Sequence, residues 1–285
     1  MGEWFALLSS LAFAVSHILI RRGLAQSNPI AGFCLSISIS ALALWFLAAM
    51  YLPLSSFWTH IILYFALSGI FASGLGRMFI YVGIDRIGVS RSVPVAGSAP
   101  MFASILAVLV IGETWSLQNF TGTLLIILGI VVISRSRTEK RDWRTRDLIY
   151  PIMAALSFAL AANVRKLGLL VENAPLMAST VNATTGLMLA PLMVYARGGV
   201  HILRMSRRVF GWFLAAGICN TIGMLLSFYA LAAGNIVIIE PLINTSPVLS
   251  VLLTAIFLRD MEAVNLHVVT GVSCTVVGTV LIVLS

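Results

Sequence analysis

Charge is what this sequence has least of. Asp, Glu, Lys and Arg make up 10% of its 285 residues, against 60% hydrophobic ones. A water-soluble domain carries about 25% charged residues to cover its surface. So sparse a supply cannot cover a globule of this size, and the solvent that fits the composition is lipid. Cysteine and histidine are scarcer still, with three and four residues. Cys34, Cys219 and Cys274 lie singly inside apolar stretches, which supports neither a disulfide framework nor a thiolate metal site and leaves them as small apolar side chains. His17, His60, His201 and His267 are far apart, no two at ligand spacing, so no metal and no cofactor is expected. The chain has no Gly-x-x-x-x-Gly-Lys-Ser/Thr loop, and nothing supports ATP coupling. No basic run precedes the first apolar stretch, which therefore reads as a membrane helix rather than a cleaved signal peptide.

What is present is length. A membrane helix needs about 20 apolar residues, and ten stretches qualify: 4–20, 30–51, 61–84, 92–111, 118–134, 149–166, 175–196, 209–233, 236–258 and 264–284. Short connections with turn chemistry, such as Ser27-Asn28-Pro29 and Asn173-Ala174-Pro175, force successive helices to run antiparallel. One connection differs. Residues 135–147 hold six basic and three acidic side chains and divide the chain nearly in half. This predicts an all-α integral membrane protein with one unit over 1–134, a basic linker over 135–147 and a second unit over 148–285.

The halves resemble each other in sequence. Pro94 and Pro100 meet Pro241 and Pro247 at the same spacing, and Glu113 meets Asp260, each thirteen residues past the second proline. Gly122 and Gly129 match Gly271 and Gly278, while Tyr81 matches Tyr229. Ala12-Phe13-Ala14 meets Ser157-Phe158-Ala159. The shared order and spacing indicate a duplication. A five-helix unit is odd-numbered, so the second copy enters the membrane from the opposite side and the repeats are inverted. Secondary transporters are often built this way, with the substrate site at the repeat interface near the midplane.

The net charge of +8 has a topological reading. Fifteen of the eighteen basic residues fall after odd-numbered helices, among them Arg21, Arg22, Arg86, Arg91, Arg197 and Arg259. The opposite face has only Arg165 and Lys166, and Arg77 lies within a helix. The positive-inside rule puts the linker in the cytoplasm and both termini outside it, in a multi-pass inner (plasma) membrane protein. No zinc-finger spacing or basic–aromatic stripe points to nucleic acid.

Pro100, Gly112-Glu113, and Gly122 with Gly129, echoed by Pro247, Asp260, Gly271 and Gly278, resemble the signature of EamA-type transporters of the drug/metabolite transporter (DMT) superfamily. The likeness covers essentially the whole chain. It implies ten helices in two EamA repeats, a central cavity and, in many members, export of amino acids or other metabolites. This sequence departs from the pattern at Ala14 and Ala159, where a Trp is common, and in its charge-based orientation, which is opposite to that of several relatives.

The candidate site residues are polar groups within the apolar spans. Arg77 lies eight positions before Asp85, about 12 Å from the helix end. An intramembrane Arg usually faces a bundle interior, a cavity or a counter-charge. It could bind a substrate carboxylate or phosphate, snorkel to headgroups, or pair with Glu240 or Asp85. Glu240 could bind a cation, exchange a proton or cap its helix. His17 is either a packed residue or a proton relay. Asn163, Asn182, Asn220, Asn244, Tyr81 and Tyr229 either bridge helices or line the path. Pro94, Pro100, Pro241 and Pro247 break helices four and nine, as hinges or simply as bends. Glu113 and Asp260 read as helix-end solvation. The expected partners are a small-molecule substrate and the bilayer, with protons as a candidate coupling ion and a monomer or homodimer as the assembly. The first function these features support is a secondary transporter of small metabolites, not an enzyme. A membrane-embedded lipid-modifying enzyme and a passive solute channel are the alternatives.

Overall fold

The computed structural model describes residues 2–57, 60–106, 117–134, 144–233, 239, 242–262 and 264–284. Glu113, Glu240, Pro241 and most of the 135–147 linker lie outside these described residues. The described chain is helical throughout. The first half comprises α1 (Gly2–Leu24), α2 (Pro29–Tyr51), α3 (Ile62–Ile87), α4 (Val89–Ala96), α5 (Ala99–Leu106) and α6 (Leu117–Ser134). The second comprises α7 (Ile149–Val171), α8 (Pro175–Ala196), α9 (Arg207–Ala233), α10 (Ser246–Phe257) and α11 (Leu266–Val283).

The turn chemistry acts as expected. Asn28 caps α2 by accepting from the Ala31 amide, with Pro29 supplying a first-turn residue that needs no acceptor. Asn265 caps α11 in the same way through the Val268 amide. Six described helices are long and apolar enough to cross a bilayer: α1, α2, α3, α8, α9 and the one running from Thr145 to Val171. Their outward side chains are apolar. Leu42 and Leu63 are 70% and 73% exposed, a surface suited to acyl chains rather than water.

Pro100 and Pro247 break their spans at matching points. Pro100 has no N–H for the Ala96 carbonyl, and the chain turns at Gly97 and Ser98 between α4 and α5. Pro247 likewise gives nothing to the Ile243 carbonyl, and the turn falls at Asn244 and Thr245. The Gly97 carbonyl finds a partner in the Thr279 hydroxyl of α11, at 3.3 Å.

Packing reproduces the repeat. α1 packs on α9, and its counterpart α7 packs on α3; α5 packs on α7, and its counterpart α10 packs on α1. α2 meets α8, and α6 meets α11, each helix facing its own repeat mate. A Cβ added at Gly122 would lie 2.7 Å from the Gly278 carbonyl oxygen, and one at Gly129 would lie 2.6 Å from that of Gly271. Since Gly122 corresponds to Gly271 and Gly129 to Gly278, these two contacts are one contact seen twice about a pseudo-twofold axis. With five spans on each side of that axis, the halves are inverted repeats.

Candidate functional site

A cavity of about 890 Å³ lies between the halves. Its inner end is bounded by His17 of α1, Arg77 and Ile80 of α3, and Val93 of α4. Its outer end reaches Asn119, Leu170, Asn173, Ala232 and Ile282. α7, α9 and α11 all finish near these residues and α6 begins there, so the cavity opens on the face where Gly2 and Leu284 lie. The helix breaks at Gly97 and Asn244 sit on its wall. Breaks there are tolerable because irregular backbone in a membrane survives only where protein or a cavity surrounds it.

Arg77 follows directly on a stretch of wider π-helical turns, Ile70–Gly76. Such turns insert extra chain into a helix and are frequent at functional sites. Small residues let α8 come close here: a Cβ at Gly186 would lie 2.8 Å from the Ser73 carbonyl oxygen. Ser73 donates to the Asn182 side-chain oxygen, whose amide nitrogen donates to Ser68 at 3.2 Å. The Arg77 guanidinium donates from both Nη atoms to Ser40 Oγ, each at 3.3 Å. It is not paired with Asp85. His17 shares a 3.2 Å hydrogen bond with Ser250 of α10.

An ionic clasp lies at the opposite, basic end of the bundle. Glu262, in the turn before α11, has a fully enclosed carboxylate. Oε1 accepts from the Val89 amide at 2.9 Å; Oε2 accepts from the Ser90 amide at 3.1 Å and from the Ser90 hydroxyl at 2.9 Å. These are the otherwise unmatched donors at the start of α4. Arg21 Nε lies 2.9 Å from Oε1, an ion pair whose N–H is not aligned as a hydrogen bond. Gly88 makes room for the carboxylate: its φ is +83°, and a Cβ there would lie 2.6 Å from Glu262 Cδ. Beside it, Arg22 makes a two-pronged pair with Asp260, at 2.6 and 3.0 Å. α1, α4 and the α10–α11 turn are thereby tied together.

Of the residues the sequence suggested, the structure brings Arg77, His17, Asn163, Asn182, Asn220, Asn244, Pro100 and Pro247 to the cavity wall. Pro94 is buried inside α4. The two tyrosines are not on the wall. Tyr81 is fully enclosed, donates to Ser36 Oγ at 2.7 Å and packs edge-on to Phe33. Tyr229 packs edge-on to Phe5 and is 37% exposed. Their relation by the repeat places them at equivalent helix positions without fixing which way each faces.

Two features escaped sequence reasoning. Arg165 lines the cavity, with its Cζ 5.2 Å from the Phe228 ring centre. The signal was present: Phe158, Ala162, Arg165 and Leu169 recur at helical spacing on one face of α7. Glu262 carried no such signal, since its partners are distant in the chain.

A two-repeat helical bundle around a mainly apolar central cavity set with a few polar side chains is the architecture of a multi-pass membrane transporter. The EamA-like transporter family model matches residues 1–135 and again 146–284, and the chain belongs to that family. It is 24% identical over 210 residues to a protein of Archaeoglobus fulgidus described as an uncharacterized transporter, covering 74% of this chain and 72% of that one. A solved crystal structure aligns at a TM-score of 0.69 over 98% of this chain and 95% of its own, at 14% identity, a likeness in fold alone.

Proposed function

We propose that this protein is a secondary transporter that exports small metabolites across the inner membrane by alternating access between its two repeats. The units 1–134 and 148–285 move relative to one another, and the 135–147 linker lies in the cytoplasm. In that orientation the cavity opens outward and the Arg21–Glu262 clasp is the cytoplasmic gate. Export then requires the clasp to open, the substrate to enter from the basic side and the clasp to close behind it.

The observation that supports this reading best is the asymmetry of the cavity, which runs from one end of the bundle as far as His17, Arg77 and Val93 and stops short of the ion pairs at the other end. A channel needs a path open at both ends, and a lipid-modifying enzyme needs acid/base or metal groups clustered at an interface. Among the described residues no group of three or more His, Cys, Asp or Glu is placed to hold a metal ion.

Protein reconstituted in liposomes is expected to give saturable uptake and to accelerate exchange of labelled for unlabelled solute across the membrane. Flux that neither saturates nor counter-exchanges would replace the transporter with a channel. Turnover of lipid headgroups by the purified protein would replace it with an enzyme.

A further inference from the structure

Among the described residues, the cavity wall holds a buried arginine with no acid beside it, and this bears on its cargo. Arg77 is 5% exposed and belongs to the inner end of the wall. A guanidinium has five N–H donors, and one neighbour, Ser40 Oγ, takes two of them. Ser40 is already engaged, donating to the Ser36 carbonyl at 3.0 Å and meeting Thr221 Oγ1 at 2.9 Å. No carboxylate among the described residues lies within ion-pair distance of Arg77. Nε has no hydrogen bond to the described residues yet is not sealed in the protein interior, so that donor is open toward the cavity Arg77 lines.

The described lining residues include no Asp, Glu or Lys. In a wall of low dielectric the Arg77 charge acts strongly on anything that enters. An intramembrane arginine held without an acid has a large unmet electrostatic demand, and a ligand anion is what meets it. The remaining wall is apolar and aromatic, with Phe13, Phe158, Phe228 and Met224 among its members, interrupted by side-chain amides.

We propose that the cavity takes small organic anions: a carboxylate on an aromatic or branched apolar body, with Arg77 as the carboxylate site. The guanidinium fork matches a carboxylate in two parallel hydrogen bonds. A phosphate dianion calls for more converging cations than the inner end supplies, since Arg165 is occupied with Phe228 nearer the mouth. The apolar body lies against the phenylalanines, and the amides of Asn182 and Asn220 serve polar substituents. This assignment rests on the transporter reading for its physiological sense, but the binding chemistry stands apart from it.

The test is a binding series on the purified full-length protein in lipid nanodiscs, using phenylacetate, its neutral isostere phenylacetamide, the cation phenethylamine, zwitterionic phenylalanine and phenyl phosphate. Phenylacetate is expected to bind at least about tenfold tighter than phenylacetamide, as a charge-assisted pair demands. Arg77→Gln is expected to erase that preference, with Arg77→Lys in between. If Arg77→Gln does not fold, the wild-type series decides alone. Equal binding of the isosteres overturns the anion site; so does tighter binding of phenethylamine. Phenylalanine binding as well as phenylacetate overturns selection for net anions, and phenyl phosphate binding better overturns the carboxylate assignment. Liposome flux separates the two readings. Saturable transport of phenethylamine but not phenylacetate sinks the anion site and keeps the transporter. Arg77-dependent binding with no flux of any solute keeps the site and sinks the transporter.

Discussion

Glu262→Ala is expected to unlock the basic face. The substitution leaves the Arg21 side chain, 7% exposed, without its counter-charge. It also strips the acceptor from two amides and one hydroxyl at the start of α4. Removing one partner of a buried ion pair costs about 3–5 kcal/mol because the other charge is left uncompensated. The cost falls only on the state in which these groups are enclosed, since in an opened face they reach water. A shift of about 3 kcal/mol changes the ratio of closed to open by more than about a hundredfold. The measurement is the labelling rate of Val93→Cys by an impermeant maleimide added on the linker side, with Cys34, Cys219 and Cys274 replaced by alanine. Labelling should rise steeply in Glu262→Ala and less in Glu262→Gln, which retains an acceptor but loses the charge. Gly88→Ala should act in the same direction by displacing the carboxylate. Pairing Glu262→Gln with Arg21→Gln should restore part of the closed state. Labelling at the wild-type rate in Glu262→Ala would show that the clasp does not hold the gate.

The second large effect belongs to the seam between α6 and α11. Gly129→Val is predicted to abolish the folded protein, or to lower its melting temperature steeply in detergent. The new Cβ would meet the Gly271 carbonyl oxygen at 2.6 Å and the Thr275 amide nitrogen at 2.9 Å. These are backbone atoms, which cannot rotate aside as a side chain can. Overpacking a tight site costs about 1–3 kcal/mol and occasionally more, and this case belongs at the upper end. In lipid the loss is not recovered elsewhere, because helix association there depends on close packing rather than on expelling water. Gly122→Val should behave alike, since it strikes the same contact about the pseudo-twofold axis. Gly211→Ala is the control: nothing lies within 4 Å of its added methyl. Alanine there should be neutral, or stabilising by up to about 1 kcal/mol through helix propensity. A Gly129→Val protein that elutes and melts like wild type would refute the contact.

Much of the architecture was legible before any coordinates. Hydropathy marks the spans because each must satisfy its own backbone in lipid and carry an apolar exterior. The proline spacing announced the breaks in spans four and nine because a missing N–H is a local property of the chain. Gly122, Gly129, Gly271 and Gly278 were legible as repeat mates, but not as partners. Their pairing crosses, Gly122 with Gly278 and Gly129 with Gly271, because the helices run antiparallel across the axis.

The site was legible only in part, for a physical reason. Arg77 and His17 stood out because polar groups are costly in lipid wherever they lie. Which way a helix faces is another matter. α9, which carries Tyr229, has almost no apolar stripe to mark an inner face. Repeat symmetry alone makes Tyr81 and Tyr229 read as a site pair, while packing turns one toward Ser36 and Phe33 and the other toward Phe5. Arg165 reads from the sequence only as a charge at the end of its span on the non-linker face; the α7 face carrying Phe158 turns it to the cavity.

By itself the sequence determined a ten-span, twofold, inverted helical bundle with its basic residues gathered on one face. Those properties arise from local chemistry: span hydropathy, proline spacing, helix caps and charge count. Tertiary structure alone decided that Arg77 rests on Ser40, and that Glu262 binds Arg21 and the start of α4. Both depend on helix rotation and on contacts between residues far apart in the chain, which only the packed bundle fixes.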